Sequence, residues 1–365
     1  MRLIVIMTEQ EDKFLRFLQG VLFPKGEPRP IIPEKDVNEL LKIAKKQALL
    51  GLFTDYLLYM NTVKNDTLTM KLIATLTQIK RINLLMNQEL ENFVKLLSKE
   101  QIRAIVVKGQ TVASLYPDPL LRQSGDIDFY GDEPSRKKLM DVLQKNYGIT
   151  PQQSSAKHQE YELNGIRYEL HSRLVDFSFT PHQKYWDKLI EKELEGDPYT
   201  VTIGNTEIPT LSPNLNAIYL FIHIFFHLIS SGIGLRQFCD WALFLHRHDK
   251  EIDREKLSRD LGRLGIKYAY KALGGILIDY VGLSEEEFPL KLTKKDKKSG
   301  KKILYNIFRM GNFGQETRHV PRLGLLHSLE TGVIAARQSI RFISLAPAEV
   351  LLKVPKMIKW FFCKQ

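Results

Sequence analysis

The sequence predicts an α+β protein, a small mixed sheet embedded in a mostly helical chain with helical N- and C-terminal regions. Three observations carry that expectation. Apolar residues recur at helical spacing through residues 36–99 and again after Pro213. Strand signals, namely β-branched runs and an Asn-Gly turn, concentrate between residues 101 and 176. The 365 residues are 44% hydrophobic and 26% charged, an ordinary globular balance, and at roughly 100 to 200 residues per domain the length suggests about two domains or one domain with a large elaboration. The expected division is a helical N-terminal region over 1–100, an α/β core over 101–210, and a helical C-terminal domain with a basic tail over 211–365.

Residues 36–60 place Leu40, Leu41, Ile43, Ala44, Leu49 and Leu50 near helical period, and a second helix is expected from Thr67 to Lys99. The pattern changes at Arg103, where the run to Val107 reads as a buried strand ending at Lys108-Gly109. A helix over 110–115 follows, and Tyr116-Pro117-Asp118-Pro119 stops it. Residues 126–130 form the next strand, and a helix is expected over 134–146. Asn164-Gly165 is a favoured two-residue hairpin turn between strands at 158–163 and 166–170. Helices then recur at 214–231, 235–247, 254–263 and 266–280, with more between 300 and 362. Lys291–Lys302 reads as a charged linker, and Gly311-Asn312-Phe313-Gly314 as a turn between helices.

Composition excludes several classes. Cys239 and Cys363 are too few and too far apart for a disulfide framework or a cysteine zinc site, which fits a reducing compartment. The opening residues carry one arginine and only five apolar residues before acids arrive, so a cytoplasmic location is expected. The longest apolar run, Ala217–Ile229, is too short to span a bilayer and reads as a buried helix, with His223 and His227 packed or hydrogen-bonded in the core. The net charge of +11 is local. From Lys291 onward there are 16 basic residues against four acids, while the chain before it holds 37 against 38. A contact with an anionic surface or polymer would belong to that segment, where Lys353, Lys356, Lys359 and Lys364 alternate with apolar residues; the alternative is docking on the protein's own core.

The chemistry concentrates at Asp126-Ile127-Asp128. In a strand, residues i and i+2 share a face, so two carboxylates point one way and Ile127 and Phe129 the other. Carboxylates this close repel unless a cation sits between them, and a hard ion such as Mg²⁺ suits oxygen ligands. Removing either acid is therefore expected to leave the fold intact. Upstream, Gly109 at a strand-to-helix turn lets a phosphate approach the backbone, and Lys108 adds a positive charge. Downstream, Glu169 offers a third carboxylate, with His171 on the same strand face.

These residues resemble a family. Val107-Lys108-Gly109, Leu115-Tyr116-Pro117-Asp118-Pro119, Arg122, Gly125-Asp126-Ile127-Asp128 and Tyr168-Glu169-Leu170-His171 are similar to the uncharacterised nucleotidyltransferase family of the DNA polymerase β-like superfamily. The likeness continues through Leu211-Ser212-Pro213, His223, His227 and Gly234-Leu235-Arg236 with Asp240, covering two thirds of the chain. It implies that Asp126 and Asp128 bind catalytic Mg²⁺ or Mn²⁺ and that Glu169 is a third ligand or a base. Lys108 and Gly109 would hold the triphosphate, joined on the nucleotide side by Gln110, Arg122 and Arg236. The bulky Gln110 departs from the small Gly or Ser common there and is expected to narrow the phosphate site.

Arg236 and Asp240, four apart, either form a helix ion pair or contribute Arg236 to the nucleotide. The expected function is metal-dependent transfer of a nucleoside monophosphate from a triphosphate to an acceptor, which is a protein side chain, an RNA end or a small molecule. The alternative is an inactive protein that keeps the fold and binds nucleotide or a polyanion. A sugar-nucleotide glycosyltransferase also uses D-x-D, but does not need the preceding glycine turn.

Overall fold

The computed structural model describes residues 7–153, 158–312, 314 and 325–353. Helix α1 (Glu9–Leu22) starts at a capping box, in which Thr8 accepts from the Glu11 backbone and Glu11 accepts from that of Thr8. The segment expected as one helix over 36–60 is two, α2 (Val37–Lys46) and α3 (Leu50–Tyr59). The break has a tertiary cause. Ala48 adopts φ 56°, and Gln47 is drawn out to accept from Leu235 N at 2.9 Å through Oε1 and from Arg236 N at 3.3 Å through its carbonyl.

The long helix α4 (Asp66–Lys99) is capped by Asn65. After it come β1 (Ile105–Val107), α5 (Gln110–Ala113), β2 (Asp126–Tyr130), α6 (Glu133–Tyr147), β3 (Gln152–Gln153), β4 (His158–Leu163) and β5 (Ile166–His171). The five strands form one mixed sheet in the order β1-β2-β5-β4-β3, with β2 and β5 parallel. Alternation sorts β2 as expected. Ile127 and Phe129 are buried beneath the sheet against Met86, Leu90, Phe93 and Leu97 of α4 and Leu139 and Leu143 of α6. Asp126 and Asp128 face the other way.

Next come α7 (Thr180–Glu195) and a hairpin absent from the sequence reading, β6 (Tyr199–Ile203) and β7 (Thr206–Thr210), which lies beside β1. The rest is helical: α8 (Pro213–Leu228), α9 (Leu235–Arg247), α10 (Arg254–Arg263), α11 (Lys267–Ile276), α12 (Lys294–Met310) and α13 (Leu325–Phe342). A second, larger apolar cluster joins α1, α2 and α3 to α8, α9, α11 and α12, and reaches Ile105 and Val107 on the sheet.

The expected linker at Lys291–Lys302 is corrected to the start of α12. Thr293 and Asp296 form a capping box, buried Asp296 pairs with Lys271 at 2.9 Å, and Ile303, Leu304 and Ile307 enter the core. Lysines 294, 295, 298, 301 and 302 occupy its exposed side. Residues 354–365, which hold Lys356, Lys359, Lys364 and the aromatic end, lie outside the described residues. Among the described residues no helix is long and apolar enough to cross a membrane.

Candidate active site

Strand register builds one polar surface. Asp128 stands opposite Glu169 of β5, which stands opposite Glu160 of β4. One row along, Tyr130, His171 and His158 align in the same way. Asp128, Glu169, His171 and His158 of this surface line a cleft of about 880 Å³, a size that suits a small-molecule ligand. Lys108, Gly109, Arg122, Asp126, Asp128, Glu169 and Arg236 all line it. Helix α8 supplies the opposite wall through Tyr219, His223 and His227.

The turn after β1 aims the lysine. Lys108 has φ 59°, sparsely populated for a side-chain-bearing residue, and Gly109 follows at φ 51°, ψ −124°, a region open to glycine. Lys108 Nζ lies 3.1 Å from Asp128 Oδ1, and His171 Nε2 lies 2.8 Å from the same oxygen. Burial alone would raise the Asp128 carboxyl; Lys108 and His171 outweigh it and hold Asp128 well below the usual range. Burial, then Asp128 and Asp126, push Glu169 up to about 8. Burial and Asp128 likewise raise Asp126. One carboxylate is thus fixed as charged, and its neighbours resist joining it.

Arg122 and Asp240 make a buried two-pronged ion pair, Nε to Oδ1 and Nη2 to Oδ2, each 2.8 Å. Tyr116 donates to the same carboxylate at 2.7 Å. The expected helix pair Arg236–Asp240 is therefore not made. Arg236 donates instead to the Gln123 carbonyl, and its Nε is buried with no partner among the described residues. Burial, with Arg122 close by, lowers its pKa. Gln110 does not narrow the cleft with its side chain. It is buried in a chain running from Asn87, which accepts from its Nε2 at 2.6 Å, to Ser124, which donates to its Oε1 at 2.6 Å and accepts from Arg122 at 3.0 Å.

His223 and His227 correct the expectation of core histidines: both are half-buried on the cleft wall, with rings 4.6 Å apart. Burial, then the positive charge of Lys108, pushes His223 well below the ordinary histidine value, so it is uncharged at neutral pH. The signal was present, since Tyr219, His223 and His227 are polar positions four apart in an otherwise apolar run. His158 and Lys353 also line the cleft and were not singled out for it.

A family model described as an uncharacterised nucleotidyltransferase matches residues 33–276. The chain belongs to that family. Its fold is α+β, mostly helical around a small mixed sheet. A solved nucleotidyltransferase-like protein, an antigenic protein from Paracoccidioides brasiliensis, is similar at 14% identity over 55% of this chain and 92% of that one, with a TM-score of 0.30. No curated protein matches.

The acidic groups lining the cleft could hold a metal ion. Asp128, Glu169 and His171 bring ligand atoms within 4.8 Å of one another, and so do His158, Glu160 and Glu169. Asp126 shares the face and the cleft but belongs to neither tight group.

Proposed function

We propose that the chain transfers the nucleoside monophosphate of a nucleoside triphosphate to an acceptor hydroxyl or amine, using a divalent ion held by Asp126, Asp128 and Glu169. The acceptor atom attacks the α-phosphorus, the bond from that phosphorus to the bridging oxygen of the β-phosphate breaks, and pyrophosphate leaves with the electron pair. The observation that carries this reading is the set of three carboxylates on adjacent parallel strands, on one face of a nucleotide-sized cleft with Lys108 among them.

A bound divalent ion supplies charge neutralisation at the phosphoryl oxygens. The chain's own groups do the rest. Lys108 is the cation nearest the carboxylates, and Gly109 leaves room for a phosphate beside the turn. Arg236, with an unsatisfied Nε, offers a second cation lining the cleft. Arg122 is committed to Asp240 and acts by holding α9 against the turn before β2, while Gln110 braces that turn through Ser124. Glu169 is a third ligand or, once deprotonated, takes the proton of the acceptor. The acceptor belongs to one of three chemical classes: protein side chains, RNA ends and small hydroxylated or aminated molecules.

Incubation with each α-labelled nucleoside triphosphate, with Mg²⁺ or Mn²⁺ and candidate acceptors, tests the reading through pyrophosphate release and label transfer. Both should occur and both should vanish in Asp126→Asn. A second reading, nucleotide binding without transfer, is favoured by one observation: Lys108 and His171 already occupy Asp128 Oδ1. Tight binding with no pyrophosphate from any acceptor class would decide for it.

A further inference from the structure

We propose that the metal position on this sheet face is a mixed nitrogen and oxygen centre, in which the His171 imidazole ligates directly beside Asp128 and Glu169, so that the chain takes Mn²⁺ or Zn²⁺ in preference to Mg²⁺. The inference rests on reading the carboxylates as a metal-binding set and adds the ligand that selects the ion.

The distances carry it. Glu169 Oε2 lies 3.7 Å from His171 Nε2 and 4.0 Å from His158 Nε2. Both gaps exceed an N–H···O hydrogen bond of about 2.7–3.2 Å. They match the span between two ligands sharing one ion, because bonds of about 2.0–2.2 Å place such atoms roughly 3–4 Å apart. The 2.8 Å contact of His171 Nε2 with Asp128 Oδ1 places the imidazole between the two carboxylates.

The arrangement is also built in. The imidazole row and the carboxylate row are neighbours in the strand register, so backbone pairing rather than a side-chain swing brings them together. His171 sits on a central strand and is 7% exposed. Beyond it, His158 and Glu160 repeat the pattern around the same Glu169.

Ligand chemistry then decides the ion. Mg²⁺ favours an all-oxygen octahedron and parts with water reluctantly, whereas imidazole binds later and softer divalent ions better. An imidazole in the set therefore weakens the claim of Mg²⁺ relative to the others.

The test is pulsed electron paramagnetic resonance of Mn²⁺ bound to the full, chelator-stripped chain, with Mg²⁺ competition alongside. Nitrogen modulation from a ligated imidazole is expected in the wild type and should vanish in His171→Ala. Labelling the wild type with ¹⁵N-histidine should convert the ¹⁴N modulation to the ¹⁵N pattern, which keeps the test independent of how well the variant folds. The preference for Mn²⁺ over Mg²⁺ should fall at least about tenfold in His171→Ala. Bound Mn²⁺ without nitrogen modulation overturns the nitrogen ligand and leaves the carboxylate reading standing. No Mn²⁺ binding at all overturns the carboxylate reading, and this inference with it.

Discussion

Lys108 and Asp128 are both nearly buried and 3.1 Å apart, so taking away one charge strands the other. For Asp128 this runs against the expectation that either acid of the Asp126/Asp128 pair can be removed freely. Asp128→Ala should destabilise the chain by about 3 kcal/mol or more, because it leaves the Lys108 charge buried and unpaired. Asp126→Ala relieves repulsion and should leave the unfolding midpoint unchanged or raised; denaturant titration of the two variants separates them, and equal losses would refute the argument. Glu169 makes a pH prediction. Its carboxyl, ordinarily near 4.5, is held at about 8 in the metal-free fold, so between those values the folded chain binds more protons than the unfolded one. Stability from this group is complete below pH 4.5 and is lost as pH rises through about 8. Thermal unfolding in chelator at pH 5, 6, 7 and 8 should show wild type losing ground to Glu169→Gln as pH rises; parallel curves would sink the claim. At this scale strand alternation made Asp126 and Asp128 legible, since a period of two is local. The diversion of Asp240 from Arg236 to Arg122 was not, because Arg122 and Asp240 are 118 positions apart.

Helix α12 shows how charge conceals a helix. Its first nine residues hold six lysines and one aspartate, and they read as a solvated loop until Asp296, Gly300, Ile303, Leu304 and Ile307 are seen to form one buried stripe. Gly300 lets α11 approach: a Cβ there would stand 2.7 Å from the Ala272 carbonyl oxygen. Gly300→Ala sets two effects against each other. Alanine gains about 1 kcal/mol of helix propensity, while forcing backbone apart in a packed interface costs about 1–3 kcal/mol. The clash is with backbone, which cannot swing aside, so the variant should be less stable than wild type by about 1 kcal/mol; a rise in thermal midpoint would refute this. The β6–β7 hairpin was missed for a different reason. Tyr199–Ile203 and Thr206–Thr210 flank Gly204-Asn205, a recognised turn dipeptide, but both strands are short and half-polar, so periodicity alone is a weak signal. In α8 the helix itself was legible, yet which stripe faced the cleft depended on the position of the sheet.

Across the molecule, the change from helix to strand near residue 100 is not a change of core. Met86, Leu90, Phe93 and Leu97 of α4 are the floor under Ile127, Phe129, Tyr168 and Leu170, although they precede the first strand. Sequence pattern marks where local structure changes, and it does not report which distant face a helix covers. Burying four such side chains is worth roughly 6–12 kcal/mol at about 1.5–3 kcal/mol each. That equals the whole stability of an ordinary domain, about 5–15 kcal/mol. A fragment of residues 101–210 would also expose Ile105 and Val107, which pack into the larger cluster with the C-terminal helices. The fragment should therefore show no cooperative thermal transition by circular dichroism, whereas the full chain should show one. The same dependence ties the cleft to both halves of the chain, because its floor rests on α4 and its far wall is α8. A 101–210 fragment that melted cooperatively and bound a divalent ion as tightly as the full chain would show that the sheet needs neither α4 beneath it nor α8 above it.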